Sequence, residues 1–187
     1  LKRYAHNIAI SGAYQIQEVA SIIIWPLFLG AFILLDNTYQ TLGILASLST
    51  VLAIVSAYTI GKIADRSHAK RLLNTGAVAN AITLLIKPFI ATAAGAFLVN
   101  FIHEPFAAMY RIPFMKGRYD EADSATGYRI VYFMYVELAI AAANILLWGS
   151  IVLISYNVSG KIALQIAFII GAIMSIVITR QKFNALR

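Results

Sequence analysis

Apolar runs with no polar face dominate this chain. Stretches such as SIIIWPLFLGAFILL and IAFIIGAIMSIVI are hydrophobic on every side, whereas the strands of a membrane β-barrel alternate apolar and polar positions over about ten residues. A helix needs about 20 mostly apolar residues to cross a ~30 Å hydrocarbon core. Six segments meet that requirement: 8–35, 41–61, 72–90, 92–111, 126–154 and 162–179. The pattern predicts an all-α polytopic membrane protein, with residues 1–187 forming one six-helix membrane domain.

Composition agrees. Hydrophobic residues make up 60% of the chain and charged ones 12%, against about 45–50% apolar in soluble domains, and the mean hydropathy is +0.77. The net charge of +7 sits in short clusters at the ends of apolar runs and forms no extended basic stripe, so no nucleic-acid partner is expected. With the N-terminus cytoplasmic, every Lys and Arg except Lys87 and Lys161 lies on or near the inner side. Cytoplasmic retention of Lys and Arg then predicts a multi-pass protein of the cell (inner) membrane with both termini cytoplasmic. The outer connections, 36–40, 90–94 and 155–160, are short. The largest inner segment, 112–127, reads as a solvated connector.

Polar positions inside the spans carry the candidate chemistry. In the first span Ser11, Tyr14, Gln15, Glu18 and Ser21 recur every three or four residues and so share one stripe. The fourth span holds Asn100, His103, Glu104 and Arg111, and the fifth Arg129, Glu137 and Asn144. At 1.5 Å per residue Glu18 and Glu137 lie ~13–15 Å from the cytoplasmic ends and Glu104 ~10–12 Å. Carboxylates crowded in a low-dielectric interior do not all ionise comfortably, which makes a proton carrier one reading, with His103 able to join a relay. The other reading is static: each Glu held by Arg111, Arg129, Gln15 or a backbone group. Gln15, Glu18, His103, Glu104, Arg129 and Glu137 are thus the candidates for a substrate or proton path. Pro26 and Pro105, inside spans, encourage kinks, and Gly171 with Ser175 forms a small-xxx-small pair suited to helix packing.

Several chemistries find no support. The chain has no cysteine, which removes disulfides, thiolate metal sites and Cys nucleophiles. His6, His68 and His103 lie in different segments and His103–Glu104 lacks a second His four residues on, so no metal site or zinc-protease pattern is expected. No G-x-S-x-G elbow or phosphate loop occurs. No enzyme activity and no cofactor are predicted.

The turn after the second span reads GKIADRSHAKR, from Gly61 to Arg71. It resembles the loop of the major facilitator superfamily of transporters, typically G-x-x-x-D-[RK]-x-G-[RK]-[RK]. Gly61, Asp65 and Arg66 match in identity and spacing, Lys70 and Arg71 supply the basic end one position late, and His68 replaces the second Gly. The resemblance covers nearly the whole chain as one six-helix half of the usual twelve. The basic, Met-less start at Leu1 looks like the end of a central cytoplasmic linker and so points to the C-terminal half. In that family the first, second, fourth and fifth helices of a half border the cavity, while the third and sixth are peripheral. The resemblance implies a secondary active transporter that moves a small solute by alternating access, with protons a candidate coupling ion. It implies as partners the lipid bilayer and a second six-helix half, in the same polypeptide or a second copy. Gly61, Asp65, Arg66, Lys70 and Arg71 would form the conformational gating turn. A membrane scaffold or assembly partner built on the same half-fold is the alternative.

The charge distribution makes a direct topological prediction. Alkaline phosphatase fused after Asn157 is expected to be active, and fused after Arg118 inactive; the reverse activities would invert the orientation.

Overall fold

The computed structural model describes residues 4–34, 38–64 and 69–183. These residues are helical nearly throughout, with no strand among them. The first helical run comprises α1 (Ala5–Val19), a π-helical turn (Ala20–Ile24) and α2 (Trp25–Phe32). It is followed by α3 (Thr38–Ile63), α4 (Ala69–Ile86) with a 3₁₀ turn (Lys87–Phe89), α5 (Ala93–Ser124), α6 (Arg129–Ser155) and α7 (Gly160–Ile178).

Five runs are long and apolar enough to cross a membrane: Ala5–Phe32, Thr38–Ile63, Ala69–Phe89, Arg129–Ser155 and Gly160–Ile178. These are compatible with a multi-pass membrane protein. The longest helix, α5 at 32 residues, is not among the five, because Asn100, His103 and Glu104 dilute its apolar stretch.

Two elements differ from expectation. The segment 112–127 is no solvated connector: α5 continues through it to Ser124, and Pro113, Phe114, Gly117 and Ala122 are buried. Glu121 explains the order, since its Oε1 accepts from Asn7 Nδ2 at 2.6 Å and its Oε2 from the Tyr132 hydroxyl at 2.9 Å, tying α5 to α1 and α6. Lys87, expected at the outer surface, is fully buried.

The prolines act locally as their chemistry requires. Pro26 has no N–H and its ring crowds the carbonyl four residues back, and the preceding turn, Ala20–Ile24, is widened into π geometry. Pro105 and Pro113 lie within α5 without ending it. Thr92 caps that helix, its hydroxyl accepting from the Gly95 amide at 3.1 Å.

The packing has an internal repeat. The first helical run packs on α6 and α7, α5 packs on α3 and α4, and α4 and α7 pack on each other. Exchanging the first three long helices for the last three maps these pairings onto themselves, while α6 also packs on α7 with no comparable contact of α3 on α4 among the described residues. The central layer is therefore the first helix, α4, α5 and α7, and α3 and α6 lie on the flanks with most of their surface exposed.

Small residues set the closest approaches. A Cβ on Gly76 would lie 2.6 Å from Met109 Cβ and 2.8 Å from the Tyr110 amide nitrogen, so α4 and α5 meet backbone to backbone. A Cβ on Gly171 would lie 2.7 Å from Ala20 Cβ, and Ser175 Oγ donates to the Ala77 carbonyl at 2.8 Å. The small pair on α7 thus packs helices together, as its spacing predicts.

Because backbone cannot yield as a side-chain tip does, Gly76→Ala is expected to cost about 1–3 kcal/mol through overpacking. Thermal unfolding in detergent checks this: the melting temperature should fall, whereas the open site Gly149 should accept Ala without loss.

Candidate functional site

A buried polar chain crosses the central layer. On α1 Gln17 and Glu18 are neighbours, and Gln17 Nε2 donates to Glu18 Oε1 at 2.8 Å. The same carboxylate oxygen accepts from Tyr110 hydroxyl and from Arg111 Nε, each at 2.8 Å. Gln17 Oε1 accepts from Tyr110 hydroxyl at 3.0 Å and from Asn80 Nδ2 at 2.8 Å, and Asn80 also donates to Ser175 Oγ at 3.0 Å. One connected set thereby joins α1, α4, α5 and α7. Such bonds are the alternative to stranding polar groups in an apolar medium.

Beside this chain a cavity of about 330 Å³ opens between the first helix, α3 and α5, with Lys87 reaching it from the turn after α4. Its polar lining includes Ser21, Ser49, Lys87, Asn100, His103, Glu104 and Arg111, set among Trp25, Leu29 and Leu45. Trp25 Nε1 donates to Asn100 Oδ1 at 2.7 Å, fixing the indole as a wall. Lys87 Nζ stands 5.2 Å from that ring's centroid, a cation–π arrangement, and has no hydrogen-bond partner among the described residues. His103 is buried with Nδ1 3.4 Å from Thr83 Oγ1. Glu104 is half-buried and interacts electrostatically with Arg111, Lys87 and Glu18.

The expected site residues divide into two groups. Glu18, His103 and Glu104 come together at the cavity and its adjoining ion pair, and the stripe Ser11, Tyr14, Glu18, Ser21 faces inward. Gln15 lies apart, donating to Asn144 Oδ1 on α6 at 3.3 Å. Arg129 is exposed and paired with Asp123 at 2.9 Å, and Glu137 is exposed on α6. Of the gating turn, Gly61 is partly buried and Lys70 and Arg71 are exposed at the start of α4. Asp65, Arg66 and His68 lie outside the described residues.

Sequence reasoning did not single out Gln17, Asn80, Tyr110, Trp25 or Lys87. Gln17 falls one position off the polar stripe, and Asn80 is an isolated polar residue in an apolar helix. Lys87 carried no usable signal: before Pro88 at the end of an apolar run, a lysine is expected to bury its stem and hold its ammonium in water.

Among the described residues no group of three or more His, Asp or Glu could hold a metal ion. The chain matches no known protein-family model, no curated protein and no solved structure. The site is therefore read from its geometry.

The ion pair gives a stability prediction. Glu18 and Arg111 side chains retain 12% and 27% of their exposure, so removing one partner should fall near the lower end of the ~3–5 kcal/mol typical of a broken buried pair. Arg111→Met is expected to lower the melting temperature by roughly 6–12 °C, taking about 2–4 °C per kcal/mol at this size. Adding Glu18→Leu should restore part of that loss; strict additivity in the double-mutant cycle would show that the pair is uncoupled.

Proposed function

We propose that this chain is one six-helix half of a secondary active transporter of the major facilitator type, moving a small solute by alternating access. The observation that carries this reading is the cavity with Lys87, His103, Glu104 and Arg111 on its wall, inside helices otherwise built for lipid. A charged side chain at membrane depth costs at least ~2.5–3.5 kcal/mol, so four ionisable groups gathered at one cavity have a task beyond packing.

Two further features support the reading. Secondary transporters are commonly built from internal three-helix repeats with the solute site at the repeat interface, and the neighbour pattern here repeats in that way. In this reading α5 is the fourth of six spans, made less apolar by the residues it gives to the cavity. The exposed Glu137 on flanking α6 is poorly placed against lipid and suits a face covered by a second six-helix half, in the same polypeptide or a second copy. Both termini lie in the cytoplasm and the turn from Gly61 to Arg71 braces one conformation. Glu18 and Glu104 are the proton-carrying candidates, Glu104 the freer because Glu18 is already satisfied by three donors.

This chain has no cysteine, which simplifies the test. Ser49→Cys, on the cavity wall, is introduced into the full-length protein, with any cysteine outside this chain replaced by Ser, in oriented vesicles and exposed to a membrane-impermeant maleimide from each side in turn. Alternating access predicts labelling from both sides. Labelling from neither side, or from one side under all conditions, would count against transport and favour a scaffold.

A further inference from the structure

We propose that the cavity binds the anionic group of a small monocarboxylate at Lys87, with the apolar body of the solute against Trp25 and the leucines around it. This deepens the transport reading and rests on it in treating the cavity as a solute site.

The argument starts from an imbalance. The ammonium of Lys87 carries three donors, is fully buried and meets no hydrogen-bond acceptor among the described residues. The Trp25 ring at 5.2 Å offers an electrostatic attraction but no acceptor. A buried cation in this condition is destabilising unless something completes its shell. The other cation at the cavity does not share the problem, because Arg111 is matched by Glu18 at 2.8 Å. Glu104, the remaining carboxylate on the wall, is joined to Lys87 by no hydrogen bond or ion pair among the described residues. His103 is engaged toward Thr83. Glu104 acts on Lys87 through space only, so what Lys87 lacks is an anionic hydrogen-bond acceptor in contact with it.

Size and lining narrow the class. About 330 Å³ lies at the lower end of the ~300–1,000 Å³ usual for small-molecule pockets. One unmatched cation fits one anionic group. Trp25, Leu29 and Leu45 fit an apolar remainder better than a second charge.

This chain has two tryptophans, so Trp25 reports occupancy once Trp148 and any tryptophan outside this chain have been replaced by Phe. The full-length protein in phosphatidylcholine nanodiscs is titrated with benzoate and with benzamide, a pair of matching shape that differ in charge. Benzoate is expected to shift Trp25 emission saturably, at concentrations at least about tenfold below benzamide. Lys87→Met should abolish the response while raising the melting temperature of the unliganded protein, and Lys87→Arg should keep the response. Equal responses to benzoate and benzamide, a benzoate response that survives Lys87→Met, or no response to benzoate would overturn the proposal. So would a Lys87→Met variant that melts lower or fails to fold, since the lysine would then be structural. Inorganic phosphate and nanodiscs containing phosphatidylglycerol form separate arms: a Lys87-dependent response confined to either assigns the site to that anion and overturns the monocarboxylate. Failure here with two-sided labelling of Ser49→Cys intact would leave transport standing with a different solute class.

Discussion

The ion pair between Glu18 and Arg111 is the interaction on which the arrangement of helices depends. Lipid-facing helices gain little by exchanging contact with lipid tails for contact with one another, so packing and interhelical hydrogen bonds must hold them. Glu18 takes three donors on one oxygen, two of them from α5. Through Gln17 the same network reaches Asn80 on α4 and Ser175 on α7. A buried carboxylate has to be satisfied, and the approach of α5 to α1 satisfies this one. The glycines complete the constraint from the other side, since Gly76 and Gly171 let backbone and small side chains come within distances that any Cβ would forbid.

That network also determines the character of the cavity. Arg111 borders the open space, but its charge is already balanced by Glu18, so the electrostatics of the space fall to Lys87, Glu104 and His103. The π turn before Pro26 lies where Ser21, Ile22 and Trp25 enter the lining. Irregular helix and ionisable side chains thus occur in the same place. In a membrane such irregularity is tolerated where it borders protein or a water-filled space.

Much of the local architecture was legible in the chain. Helical runs apolar on all sides, the inward stripe on the first helix and the packing role of Gly171 and Ser175 follow from periodicity, because 3.6 residues per turn decides which positions share a face. The candidate site was legible in part. Glu18, His103 and Glu104 could be found because charge and imidazole are conspicuous in apolar surroundings. Glu137 looked equivalent by the same criterion, yet it lies on an exposed flank. Periodicity on one helix says which residues share a face and not which neighbour that face meets. The inner end of α5 was misread for a related reason: a run of mixed charges resembles a connector until Asn7 and Tyr132 arrive from other helices to bind Glu121.

The sequence by itself determined that the chain is helical, rich enough in apolar length for several membrane crossings, and punctuated by a few costly polar groups. These are properties of single segments and follow from hydropathy and helical geometry. Only the tertiary structure decided that Glu18 is matched to Arg111 while Lys87 is left unmatched beside Trp25. The ion pair of Glu18 with Arg111 and the cation–π contact of Lys87 with Trp25 depend on distances of a few ångströms between groups far apart in the chain, and such distances arise only from how the helices pack.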